Sequence, residues 1–226
     1  MSRPFYIAGT VLLFLALVLS FLSSISLPYL SALDFARVKF KSGISGGLDK
    51  SHTLSQVRWG IWGPCIYDGN NHRTCVHTGH GYPISVFTLE GQIVTVGASW
   101  TRGLAIHPVA TAAVAVAFGF AVSKLEHGPM IASLTSFFAA LMLLIAFAID
   151  IALFAFVHHQ IGKLDHVDGN VNAGSAFWMT FVSLIFVLLA ACTVCFGRRK
   201  ESGNDAYPMF TKSSSGGGFL SRFRRN

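Results

Sequence analysis

Charge is what this 226-residue chain has least of: Asp, Glu, Lys and Arg together make up 12%, about half the share of an ordinary soluble domain. A chain so poor in charge and so rich in apolar residues, at 52%, is the opposite of a disordered polymer and argues against a soluble globular enzyme. Cysteine is scarce, with four residues, so this is no disulfide-dense scaffold. There is no Asn-x-Ser/Thr acceptor for N-glycosylation. Neither a His-Glu-x-x-His metalloprotease signature nor a phosphate-binding glycine loop is present. No cofactor is expected. The histidine spacing fits no zinc pattern, so no metal is expected either.

What is there is long uncharged runs. A bilayer crossing needs about 20 apolar residues, and four runs meet it: Phe5–Leu27, Leu104–Ser123, Met130–Val157, which Asp150 interrupts, and Ala176–Phe196. Backbone polar groups cannot stay unpaired in lipid, so each run is expected to be helical. The first run also has a rival reading as a secretory signal, but its apolar length exceeds the usual h-region of about 7–15 residues. An uncleaved span is the expectation.

Orientation follows from the flanks. Arg198, Arg199 and Lys200 follow the fourth run directly, and the tail adds Lys212, Arg222, Arg224 and Arg225. Such a bias beside a span places residues 197–226 in the cytosol. Residues 1–4 and the turn 124–129 then lie inside too, and 28–103 and 158–175 lie outside. The seven Lys/Arg of the first outer loop do not oppose this, since long loops translocate largely regardless of charge. The formal net charge of +7 is thus read as a membrane-flank feature rather than as a nucleic-acid surface.

The first outer loop is too long for a plain linker. Ile84–Leu89 and Ile93–Val96 are rich in β-branched and aromatic residues and read as a small hairpin or sheet. Ser42–Gly47 reads as a flexible turn. Cys65 and Cys75 bracket a Gly/Asn/Asp turn in an exported loop and are expected to pair, at about 2–3 kcal/mol of stabilisation on the chain-entropy account. Trp59 and Trp62 are expected near the membrane–water boundary. The fold class expected is an all-α membrane protein: a four-transmembrane-helix bundle carrying a small disulfide-stapled, partly β extracellular loop domain.

Gly60-Ile61-Trp62-Gly63-Pro64-Cys65, with Cys75, resembles the G-L-W-x-x-C…C signature of claudin-like four-span proteins, with Ile for Leu and an added Trp59. The fungal PalI family, including Sur-type eisosome proteins, is a closer likeness. Leu22-Ser23-Ser24-Ile25-Ser26-Leu27-Pro28, the cysteine pair followed by Gly81-Tyr82-Pro83, and Leu104-Ala105-Ile106-His107-Pro108-Val109-Ala110 carry it, over about residues 5–196. The resemblance implies a non-enzymatic cell-surface protein that assists the alkaline pH response or organises plasma-membrane domains. PalI-type pH proteins often have a long cytosolic tail; here it is residues 197–226.

Other candidate residues follow from chemistry. Asp150 is a costly intramembrane carboxylate; it should face the bundle and bond to Ser20, Ser23, Ser24 or His107. The alternative to a satisfied packing residue is an ion or proton site, which would make the chain an ion-conducting or transport-associated protein. His107-Pro108 reads as a helix start, where proline costs little. His52, His72, His77 and His80 in the first outer loop, and His158, His159 and His166 in the second, read as solvated side chains. Free histidine titrates near about 6.5, so these would make a pH-responsive face. Cys192 and Cys195 beside basic residues suit palmitoylation, or are small apolar fillers. Tyr207-Pro208-Met209-Phe210 has the form of an endocytic sorting signal, and Phe219–Arg225 interleaves apolar and basic residues as an anionic-lipid contact would. Expected partners are the bilayer, anionic lipid at the tail and other membrane proteins, with oligomerisation open.

Overall fold

The computed structural model describes residues 3–41, 44–46, 54–88, 92–123, 128–164 and 169–205. Among the described residues, five α-helices and eight strands follow one another: α1 (Arg3–Ser24), β1 (Ala36–Phe40), β2 (Ile44–Gly46), β3 (Leu54–Trp59), β4 (Pro64–Asp68), β5 (Arg73–Cys75), β6 (Ile84–Thr88), β7 (Ile93–Val96), α2 (Ala98–Arg102), α3 (Ile106–Val122), α4 (Gly128–Ile161), β8 (Gly169–Ala173) and α5 (Ser175–Asp205). Segments Ile7–Ser24, Ala98–Val122, Ile131–Ile161 and Ser175–Thr193 are long and apolar enough to cross a membrane. This is a multi-pass membrane protein.

Helix ends overrun the apolar runs, because hydropathy marks where lipid stops and not where a helix does. The second span's helical track begins at Ala98, and a 3-10 turn at Gly103–Ala105 links α2 to α3. Pro108 lies in that track. Its ring opposes the carbonyl of residue 104 in a regular α-helix, and the tighter turn just upstream relieves that conflict. α4 continues to Ile161, so His158 and His159 sit in its last turn and not in the outer loop. α5 carries Arg198, Arg199 and Lys200 onward as helix to Asp205.

Each bundle helix packs on two others: α1 on α3 and α5, and α4 on α3 and α5. The shared core is built from small residues, including Ala16, Ala110, Ala117 and Ala139, with Leu13 and Leu143 between them. Small side chains let backbones approach where lipid supplies no hydrophobic force between helices. Ile7, Phe14, Leu134, Phe137 and Leu188 point outward, forming the face for lipid.

The head is partly β, as expected, but its β content exceeds the expected small hairpin and forms two sheets. β6 and β7 pair antiparallel, Ile84 opposite Val96 and Phe87 opposite Ile93, as their β-branched runs predict. β2 adds to them, with Ile44 opposite Thr88; the stretch expected to be a flexible turn therefore holds a strand. The larger sheet has the order β5-β4-β3-β1-β8. Its first four strands come from the first long loop. β8 comes from the second, with Val38 opposite Val171 and Lys39 opposite Asn170. The two loops thus form one head at one end of the bundle. Val38, Val57, Trp59 and Ile61 are fully buried beneath it. Trp59 is therefore a core residue, not a membrane-boundary one.

Candidate functional site: the junction of head and bundle

The Gly60–Cys65 stretch fastens the head to the top of α1. The Tyr82 hydroxyl donates to the Gly60 carbonyl at 2.6 Å and accepts from the Gly60 N–H at 3.1 Å. The Ile61 N–H donates to Ser26 Oγ at 3.1 Å. Trp62 gives its backbone N–H to the Leu27 carbonyl at 3.2 Å and its indole N–H to the Ser24 carbonyl at 2.8 Å. A Cβ at Gly60 would collide with Leu27, and one at Gly63 with the Val76 carbonyl. Only glycine lets the backbones approach this closely. Cys65 and Cys75 stand opposite each other on β4 and β5 and are disulfide-bonded, one strand beyond the junction.

Burial pushes the Tyr82 phenol well above the usual tyrosine range, an effect that its bond to Gly60 partly offsets. It stays protonated and keeps donating. Asp34, fully buried, holds Arg37 through paired bonds of 2.8 Å. The Asp34 bond raises Arg37 further above its already high value. The Asp34 carbonyl accepts from the Ala176 N–H at 3.0 Å, and the Phe35 carbonyl from the Gly174 N–H at 2.9 Å. The start of α5 is thereby tied to the same junction.

Below the junction lies a polar core within the bundle. His107 Nε2 and Asp150 Oδ1 are 2.9 Å apart, with both side chains almost wholly buried. His107 is the partner that Asp150 takes among those expected. Ser23 and Ser24 instead donate to the Ser20 carbonyl, and the Ser24 and Thr111 hydroxyls are 2.7 Å apart. Thr180 flanks the Asp150 carboxyl but gives its proton to the Ala176 carbonyl, and Asp150 Oδ2 is buried without a hydrogen-bond partner. The His107 ring lies 4.6 Å from that of Phe35, so the head's core rests on the pair from above.

The remaining expected sites are scattered. His77 meets Tyr29 edge-on at 5.7 Å, His80 meets Trp62 at 6.4 Å, and His72 is exposed near the β4–β5 turn. His158 and His159 are exposed on α4. These side chains form no single constellation, and among the described residues no group of three His, Cys, Asp or Glu is placed to hold a metal ion. Cys192 is exposed on α5. The Cys195 side chain, His52, His166, Tyr207, Phe210 and the basic end of the tail lie outside the described residues or side chains.

Sequence reasoning missed Asp34 and Arg37, and it quoted Ser26 and Tyr82 without foreseeing their bonds to Ile61 and Gly60. The alternation Ala36-Arg37-Val38-Lys39-Phe40 was the available sign of a strand at Asp34's side. Gly43-Ile44-Ser45-Gly46-Gly47 also fits the letter of the Gly-x-Ser-x-Gly hydrolase pattern. That pattern needs a turn from strand into helix, whereas Ile44–Gly46 is itself a strand paired with β6, so no nucleophile elbow forms. A mostly apolar cavity of about 370 Å³ opens beside the disulfide strands, lined by Pro64, Ile66, Val76, Tyr82, Pro83 and Phe87 among others.

The sequence matches one family model, described as the SUR7/PalI family, over residues 4–192. No curated protein matches the chain.

Proposed function

The chain belongs to the SUR7/PalI family, and we propose that it is a claudin-like, plasma-membrane accessory or scaffold protein without enzymatic activity. Its role is that of PalI-type proteins in the fungal alkaline pH response, or of Sur-type proteins in eisosome-like membrane domains. The head faces outward and both termini are cytosolic, a placement supported by Arg198, Arg199 and Lys200 after the fourth span. Its partners are other membrane proteins, held through the head and bundle, and anionic lipid at the tail.

One observation carries this reading: the Gly60–Cys65 motif of the head is spent on architecture. Gly60, Ile61 and Trp62 bond to Ser24, Ser26, Leu27 and Tyr82, which makes a rigid platform rather than a reaction site. A second reading, ion conduction through Asp150, has the unpartnered Oδ2 in its favour. Against it, both side chains of the pair are almost wholly buried and the Phe35 ring packs on His107. An intramembrane carboxylate without further charged groups also makes a poor path.

Two assays on Asp150→Asn separate the readings. For a scaffold, cells carrying this variant at normal surface level keep wild-type alkaline growth and membrane-domain pattern, and proteoliposomes of the wild type pass no proton or cation current. A current that Asp150→Asn abolishes, together with lost alkaline growth, would establish conduction instead.

A further inference from the structure

The five-stranded sheet of the head has two unlike faces. Val38, Val57 and Trp59 are buried on one of them, so the alternate positions of the same strands share the other. The register sets those positions in rows across the strands. One row runs Asn170, Lys39, Gln56, Tyr67, Arg73, from β8 to β5. Beside it stand Asn172, Arg37 and Arg58. At ~4.8 Å between strands, the first row extends about 19 Å. Apart from the disulfide, whose Cys65 lies opposite Arg58, every described side chain in these rows carries a polar group.

Measured bonds gather the middle of the face around one point. Gln56, with its amide oxygen turned to the two guanidiniums, accepts from Arg37 Nε at 3.2 Å and from Arg58 Nε at 2.9 Å. Arg58 also donates to the Ser31 carbonyl at 3.1 Å, and its guanidinium lies 4.6 Å from the centroid of the Tyr67 ring. Arg37 stands directly opposite Arg58, and like charges so placed destabilise a sheet. Asp34 answers Arg37 alone. Lys39, Arg58 and Arg73 have no ion-pair partner among the described residues. Asp68, at the end of β4, accepts the Asn70 N–H within the β4–β5 turn at 2.6 Å.

We propose that this face, centred on Arg58 and flanked by Lys39, Arg73, Asn170 and Asn172, binds an anionic polysaccharide. The guanidinium and ammonium groups supply charge-assisted donors for the acidic groups of the polymer. The two exposed asparagine amides donate to and accept from sugar hydroxyls. A protein partner would need an anchor side chain seated in a desolvated pocket, and these rows offer no apolar seat for one. An anion laid across Arg37 and Arg58 offsets the repulsion built into their pairing. The role in the organism rests on the outward placement of the head proposed above, whereas binding by the purified chain depends on the face alone.

The test uses the full chain in detergent, immobilised and titrated with polygalacturonate, with neutral dextran and with polyglutamate matched in length and charge. Wild type is expected to hold polygalacturonate in preference to both others. Arg58→Gln should weaken that binding roughly tenfold, as loss of one charge-assisted contact implies. Because Arg58 also bonds within the head, Lys39→Gln/Arg73→Gln provides the second variant. Both of its side chains are exposed, and it should lose a similar factor with an unchanged thermal midpoint. Arg102→Gln, which removes an exposed cation from α2, should bind as wild type does. Equal binding by wild type and Lys39→Gln/Arg73→Gln would overturn the face as the site. An equal loss in Arg102→Gln would reduce it to diffuse attraction and overturn it too. Polyglutamate held as tightly as polygalacturonate, or dextran held equally, would overturn the assignment to an anionic polysaccharide.

Discussion

At the scale of single residues, the junction depends on atoms that are absent as much as on atoms that are present. Gly60→Ala places a methyl against Leu27; overpacking of this kind costs about 1–3 kcal/mol, which a thermal melt of the detergent-solubilised protein would register as a lower midpoint. Tyr82→Phe leaves the buried Gly60 N–H and carbonyl without their shared partner, at about 1–3 kcal/mol for the orphaned groups. The two changes strike one network, so their double mutant falls short of the sum. Tyr82 also makes the head labile to strong alkali. Its folded-state pKa is raised, so its contribution is complete below the ordinary tyrosine value of about 10. It is lost as pH climbs above that value, where the unfolded chain ionises first. Tyr82→Phe, less stable at neutral pH, should show a flatter decline above pH ~10; an unchanged decline would assign the lability elsewhere. Cys65→Ser and Cys75→Ser should lower surface delivery equally, and the double mutant should be little worse, because each breaks the same bond.

At the scale of elements, the two buried side chains joining α3 to α4 matter more than either helix's propensity. Removing one partner of a buried pair leaves the other uncompensated, at about 3–5 kcal/mol, whereas apolar replacement of both is often near neutral. Asp150→Leu should therefore lose folded, monodisperse protein on size exclusion, and His107→Leu/Asp150→Leu should recover most of it. A double mutant as poor as the single would show that the pair is not a closed unit. On α5, Cys192 is exposed where an acyl chain can lie along the helix in lipid; acyl-exchange labelling should fall when Cys192 and Cys195 become Ala, and undiminished labelling would place the lipid elsewhere.

The spans were legible because a charge-free run of this length has one stable state in lipid. β6 and β7 were legible because both are rich in β-branched residues, with Glu90-Gly91 between them in the sequence. Helix ends were not, since Arg198 or His158 ends an apolar run without interrupting i→i−4 bonding. Nor was β8, whose Gly-Asn-Val-Asn-Ala sequence reads as loop. It becomes a strand through its pairing with β1, a contact between segments more than a hundred residues apart. The junction was half legible: Gly60, Trp62 and the cysteines stood out as a motif, and Ser24, Ser26 and Tyr82 fell in separate stretches of family likeness, but nothing in the sequence said that these stretches bond to one another.

At the scale of the whole molecule, both long connections make one head seated on one end of the bundle. The register places Lys39 of β1 opposite Asn170 of β8, both exposed. The most direct measurement is therefore oxidative cross-linking of Lys39→Cys/Asn170→Cys in membranes of intact cells, with a membrane-impermeant thiol reagent applied before and after reduction. A cross-link should form without added catalyst, and its two thiols should become reactive only on reduction, both from outside. Absence of the cross-link, or labelling of the two positions from opposite sides of the membrane, would contradict the single outward-facing head.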